Sequence, residues 1–145
     1  MAAKDFTTIL LVDQSLAEVF TAINNVKAWW TNSLEGRSQK LNDEFTVQFG
    51  DVHRSTQKLI ELIPDKKVVW LITGSKLNFI QDETEWNGTK ISFELSEKDN
   101  KTEIRFTHHG LTPSLECFND CSYAWGHYIS GSLHNYITSG TKNLH

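Results

Sequence analysis

The adjacent pair His108-His109 is the part of this chain whose residue types lend themselves most directly to chemistry. An imidazole titrates near neutral pH, so an inward-facing one serves as a general base or as a hydrogen-bonding anchor for a ligand. In an alternating strand His108 shares the inward face with Ile104 and Phe106, while His109 points out or ends the strand. The competing reading is a structural histidine satisfied by loop backbone. A base also needs an orienting carboxylate, and none is close in sequence. Glu85 is a candidate in space, with a solvent-facing role as its alternative. Cys117 and Cys121 are the only cysteines. On a helix their Cβ atoms would stand about 5–6 Å apart, beyond the roughly 3.5–4.5 Å of a disulfide. They are expected to be reduced, as in a cytoplasm. Cys-x-x-x-Cys is a weak metal signal, because zinc needs further ligands and only scattered histidines are on offer. His127 and His134 fall on the outer side of the final helix, and read as solvent-facing. The sequence has no phosphate-binding Gly loop, G-x-S-x-G elbow or Cys-x-x-Cys. The expectation is no catalytic centre, no metal and no cofactor.

The elements that must position these residues follow from pattern. Phe6 to Val12 (FTTILLV) reads as a strand. Ser15-Leu16-Ala17-Glu18 is a capping box, and Leu16, Val19, Phe20 and Ile23 recur at helical spacing. That helix should fray at Asn24-Asn25, with a short second helix over Val26 to Thr31. Alternation then predicts strands from Glu44 to Phe49, from His53 to Ile63, over Val68 to Ile72, over Ile91 to Leu95, and over Ile104 to His108. Asn87-Gly88, after Thr84-Glu85-Trp86, is a strong hairpin signal. Thr112-Pro113 can open a helical turn. A long helix from about Ser122 to Ser139, with Gly140 as C-cap, closes the chain. At about 100° per residue its inner face collects Cys121, Ser122, Trp125, Ile129, Ser132, Leu133 and Tyr136. Aromatics mixed with small polar residues suit a cavity with a few hydrogen-bonding points, unless strand side chains fill the space. The chain holds five tryptophans, and one of Trp29-Trp30 is expected to face inward.

The order is strand, two short helices, a meander of strands and a long helix. This predicts an α+β fold with helices on one face of a sheet. At 145 residues the chain fits one domain, 1–145. Such a domain buries roughly 70% of its extended surface and needs no metal or disulfide for stability. Net charge is −4, and Lys66-Lys67 is the longest basic run, which excludes the usual nucleic-acid binders. No apolar stretch approaches the roughly 18 residues of a membrane span. No apolar segment precedes the first strand, so a cytoplasmic location is expected.

Three segments together resemble a known family. Glu85-Trp86-Asn87-Gly88-Thr89-Lys90-Ile91-Ser92-Phe93-Glu94-Leu95 is similar to the W-x-G-T-x-I-x-F-x-L hairpin of Hsp90-ATPase-activator-like proteins, a branch of the START/Bet v 1-like (SRPBCC) superfamily. Thr102 to Leu111 (TEIRFTHHGL) is similar to the strand T-x-[LVI]-x-[FL]-x-H-x-G-[LF] of the same proteins. Trp125-Gly126, Ser132-Leu133 and Tyr136 to Gly140 resemble their closing helix, and Val19-Phe20 and Trp29-Trp30 also fit. The resemblance implies a helix-grip fold: a curved antiparallel sheet of about six to seven strands gripping a long C-terminal helix, with two short helices after the first strand. It also implies an internal pocket for a hydrophobic or aromatic molecule such as a lipid or polyketide. The protein would act as carrier or sensor, without enzymatic activity. A pocket of ordinary size would be about 300–1,000 Å³. Trp30, Phe49, Trp70, Phe106, His108, Trp125 and Ile129 are the expected lining. The alternatives are a chaperone-associated interaction module with a stress-response role, and a cyclase-like enzyme using His108. Family co-chaperones carry a separate N-terminal domain that this sequence lacks, which argues against Hsp90 activation. The expected state is a monomer or weak homodimer.

Overall fold

Apolar alternation and β-branched residues give the first strand, β1 (Phe6–Val12), as expected. The helix α1 (Leu16–Asn24) follows it. Its capping box is complete: the Ser15 hydroxyl accepts from the Glu18 amide at 3.1 Å, and the Glu18 carboxylate accepts from the Ser15 amide at 3.2 Å. Next come α2 (Val26–Trp29) and a three-residue strand, β2 (Leu34–Gly36), too short for pattern reading to reveal. Then come β3 (Glu44–Phe49), β4 (His53–Ile63), β5 (Lys67–Leu77), β6 (Lys90–Lys98) and β7 (Lys101–His109). In this computed structural model residues 5–31, 33–51, 53–78, 81 and 84–139 are described, so the expected C-cap Gly140 lies outside the described residues.

The strands form one antiparallel, curved sheet in the order β1-β7-β6-β5-β4-β3-β2. Register shifts between Thr56 and Gln57 and between Leu59 and Glu61 bend β4 against β5. The tight two-residue hairpin joins β6 to β7, where Asp99 and Asn100 both take positive φ (52° and 67°). Asn87-Gly88 does not make such a hairpin, and Thr84 to Trp86 is not a strand. β5 runs on to Leu77, pairing with β4 beyond Ile72, and a long loop returns to β6. Asn87-Gly88 sits at the end of that loop. There Gly88, with φ 82°, occupies the third position of a turn closed by the Thr89 amide on the Trp86 carbonyl at 3.0 Å.

Helix α3 (Phe118–Gly126) starts four residues before the expected Ser122, and the turn expected at Thr112-Pro113 is closed by the Leu115 amide on the Thr112 carbonyl at 2.9 Å. It continues through a π-helical segment, His127–Leu133, into α4 (His134–Ser139). The wider π turn rotates the following residues back toward the sheet. Cys121, Trp125, Ile129, Leu133 and Ile137 are therefore the buried series, and Ile137 takes the place expected of Tyr136. Ser132 is buried as expected, whereas Ser122 and Tyr136 are half-buried.

Between sheet and helix lies an aromatic core. Trp29 and Trp30 are both buried, correcting the expectation of one. They end a helix wedged between the sheet and the C-terminal helix, so neither side is open to water. Trp30 stacks on Trp70 of the sheet at 5.8 Å and meets Trp125 of α3 at 5.0 Å, while the Ser132 hydroxyl donates to the Trp29 carbonyl at 2.5 Å. All five tryptophans form one connected set through Trp29–Trp70 (6.3 Å) and Trp86–Trp125 (5.8 Å).

Candidate functional site

Phe49 and His53 are paired partners flanking the β3–β4 turn. At that end of the sheet the turn, the tip of α2, the loop carrying Trp86 and the first turns of α3 converge. They leave an apolar recess of about 200 Å³, lined by Trp30, Phe49, His53, Trp86, Asp120, Cys121, Ala124, Trp125 and Tyr128. It is smaller than the expected pocket because the tryptophans and Phe45, Phe93 and Phe106 fill most of the space under the helix. Wider surface grooves of about 450 and 410 Å³ exist. The first is lined mainly by polar residues of β2 to β4, and the second holds a single aromatic, Tyr136.

Of the expected lining, Trp30, Phe49 and Trp125 stand on the wall of the recess. Trp70, Phe106, His108 and Ile129 are buried behind it, not on it. His53, Trp86, Ala124 and Tyr128 were not foreseen as lining. The inward face of β4 begins His53, Ser55, Gln57, so its polarity hides its inward direction from a hydrophobic pattern.

His108 faces inward and is fully buried, but both ring nitrogens are engaged. The Trp125 indole N–H donates to Nδ1 at 3.0 Å. Nε2 lies 2.9 Å from the Thr89 hydroxyl, which itself donates to the Trp86 carbonyl at 2.7 Å. Thr89 has spent its proton, so the His108 Nε2–H donates to it and the imidazole is neutral. Burial, followed by repulsion from His109 and His53, depresses its pKa to about 3. This chain of three bonds fixes Trp86 and Trp125 as parallel walls. Its partners are side chains and not the loop backbone expected of a structural histidine.

His53 has a freer ring. Burial alone depresses its pKa to about 4. Phe49 and Trp86 meet it nearly at right angles, at 5.2 and 4.8 Å. Glu85 neither orients His108 nor faces away. Its carboxylate accepts from the Glu116 and Cys117 amides at 2.8 and 3.1 Å, tying the Trp86 loop to the start of α3. Cys117 and Cys121 are unbridged. The Cys121 thiol donates to Cys117, which, with the Trp86 indole N–H at 3.4 Å, lowers the Cys117 pKa. That donation, reinforced by burial, raises the Cys121 thiol. Among the described residues no group of three or more His, Cys, Asp or Glu side chains could hold a metal. Among the described residues no helix is long and apolar enough to cross a membrane.

The fold has solved relatives. The Aha1 dimer from Colwellia psychrerythraea is 26% identical with a TM-score of 0.77, covering 94% of this chain and 98% of that one. CalU16 from Micromonospora echinospora is 16% identical (TM-score 0.67; 95% and 78% covered). DynU16, from the dynemicin biosynthetic locus, is 14% identical (TM-score 0.65; 94% and 48% covered). The last two likenesses concern the fold alone. No curated protein matches the sequence significantly. The model of the family described as Activator of Hsp90 ATPase homolog 1-like protein matches residues 15–138, and the chain belongs to that family.

Proposed function

We propose that this protein binds a small, flat, apolar molecule of one or two rings in the aromatic recess, as a carrier or sensor. The observation that supports this is the recess itself: about 200 Å³, walled by three indoles and two further aromatic rings, at the end of an interior packed with aromatic side chains. A dry apolar cavity of about 150 Å³ suffices to take benzene. Parallel indole walls favour a planar guest. His108, the base an enzymatic reading needs, has no free nitrogen.

Ala124 is half-buried and lines the recess. Ala124→Phe would place a ring where the guest is to sit. Titration with indane, followed by tryptophan fluorescence and thermal unfolding, should give saturable quenching and a rising midpoint in the natural protein. At 100 times the Kd the gain is about 2.7 kcal/mol. The variant should lose both responses. Undiminished binding to Ala124→Phe would remove the recess as the site.

A second reading, a chaperone-associated module, is favoured by the 26% identity to the Colwellia Aha1 protein over nearly its whole length. The large hydrophobics exposed among the described residues, Ile9, Leu11, Leu41, Ile63 and Tyr123, are scattered over β1, the loop before β3, the end of β4 and α3. They offer no single broad apolar face. Stimulation of a purified Hsp90-type ATPase by this chain would establish this reading, and an unchanged rate would remove it.

A further inference from the structure

We infer that His53 selects the guest: the recess takes a neutral aromatic carbonyl compound, whose oxygen accepts a hydrogen bond from His53 Nδ1–H. This rests on the ligand-binding reading above and names the chemistry of the ligand.

Two hydrogen bonds behind the recess fix the protons of the His53 ring. The Gln57 amide N–H donates to the Ser55 hydroxyl oxygen at 2.5 Å. Ser55 is 1% exposed, and among the described residues the only other hydrogen-bond neighbour of its hydroxyl is His53 Nε2, at 2.9 Å. A buried hydroxyl proton left without an acceptor costs about 1–3 kcal/mol. With the Gln57 N–H directed at the Ser55 oxygen, the Ser55 proton goes to His53 Nε2, which makes Nε2 the bare nitrogen of the ring. Burial keeps the imidazole neutral down to about pH 4, so its one proton sits on Nδ1. Nδ1 has no hydrogen-bond partner among the described residues.

His53 lines the recess, framed edge-on by Trp30, Phe49 and Trp86, and its Nδ1–H is the one ring donor left for a guest. A donor set among aromatic rings calls for a guest with one acceptor on an aromatic frame. The exposed Asp120 carboxylate on the lining, together with the chain's net charge of −4, disfavours carboxylates and phenolates. A neutral aryl ketone, aldehyde or quinone-type carbonyl meets all these requirements.

The probes are indane and 1-indanone, which share a ring frame and differ in one carbonyl. Their dissociation constants are measured on the natural protein and on His53→Phe, which keeps a planar ring and loses the donor. Comparing ratios cancels the different hydration of the two probes. The ratio of the 1-indanone constant to the indane constant should rise about fivefold or more in the variant, the worth of one hydrogen bond. An unchanged ratio, with both probes still bound, would overturn the role of His53 and leave the recess standing as a site. Binding of neither probe to the natural protein would overturn both readings. A second measurement needs no variant. In ¹⁵N-labelled natural protein the His53 proton should reside on Nδ1, and its resonance should shift on adding 1-indanone but not indane. A proton found on Nε2 would overturn the inference.

Discussion

Trp125 meets the sheet through a hydrogen bond to His108 and a ring contact with Phe106 at 4.7 Å, and the loop before β6 through Trp86 at 5.8 Å. Two positions along, His127 is exposed and makes its ring contact with Tyr128 only. Trp125→Ala should therefore cost about 3–5 kcal/mol for the lost ring and its cavity, and also strands the His108 Nδ1 lone pair. His127→Ala should stay within about 0.5 kcal/mol. Urea unfolding of both variants checks this, and equal losses would refute the assignment of the helix faces. At this scale the sequence was legible where apolar period and residue type agree: His108 beside Ile104 and Phe106, or Trp125 beside Ile129. It was illegible at His53, whose inward neighbours Ser55 and Gln57 look like solvent-facing residues. Their burial becomes intelligible only through the hydrogen bonds that join them. Trp86 was not foreseen on the wall for another reason: a turn sets its direction, and the turn depends on Glu85 reaching residues far along the chain.

Glu85 links the loop before β6 to the start of α3, which the Gln81 amide, donating to the Glu116 carboxylate at 3.0 Å, also ties together. A carboxylate accepting two amide protons makes charge-assisted bonds, each worth about 1.5–3 kcal/mol at most. Glu85 is part-exposed, so about 1–2 kcal/mol in total is the expected loss in Glu85→Ala. Hydrogen exchange should quicken at the Glu116 and Cys117 amides well before it changes in β6 and β7. Uniform quickening throughout the sheet would mean that the tie is not local. Gly36 makes a different kind of constraint. Its φ is 103°, and a Cβ would run into the Glu44 carbonyl. Gly36→Ala should unzip the short strand β2 from β3, and the amide of Arg37, bonded to the Glu44 carbonyl at 3.0 Å, should lose its exchange protection. Element order, the capping box and the antiparallel meander were readable because each rests on local spacing. The face of the last helix after Leu133 was not, because a π turn changes the angle per residue and wheel geometry assumes a constant one. The Asn-Gly pair misled similarly: the same dipeptide serves a two-residue hairpin and the end of a long loop, and only strand pairing decides which.

For the molecule as a whole, filling the space under the helix with rings makes stability depend on pH. His53 and His108 lie inside that filling, and burial lowers their pKa values from 6.5 to about 4 and about 3. The volume left over was not readable from composition, since the same aromatic residues line a large cavity or close a small one depending on how two short helices seat. The electrostatic consequence, however, follows from burial in either case. The unfolded chain takes up a proton on each imidazole near pH 6.5, whereas the folded chain resists until far lower. Their contribution to stability is thus fully present above pH 6.5 and is lost as pH falls toward the folded values. At pH 5 each unfolded imidazole is almost wholly charged while each folded one is almost wholly neutral, a cost of about 2 kcal/mol per histidine. Denaturant midpoints measured at pH 7.5 and pH 5 should therefore fall on acidification, and with His53→Phe about half of the fall should vanish. The variant keeps His108, so the remaining half should persist. A midpoint that holds steady from pH 7.5 to 5 in the natural protein would mean that the two imidazoles are open to water. The bond chain from Trp125 through His108 to Thr89 would then not be closed in solution.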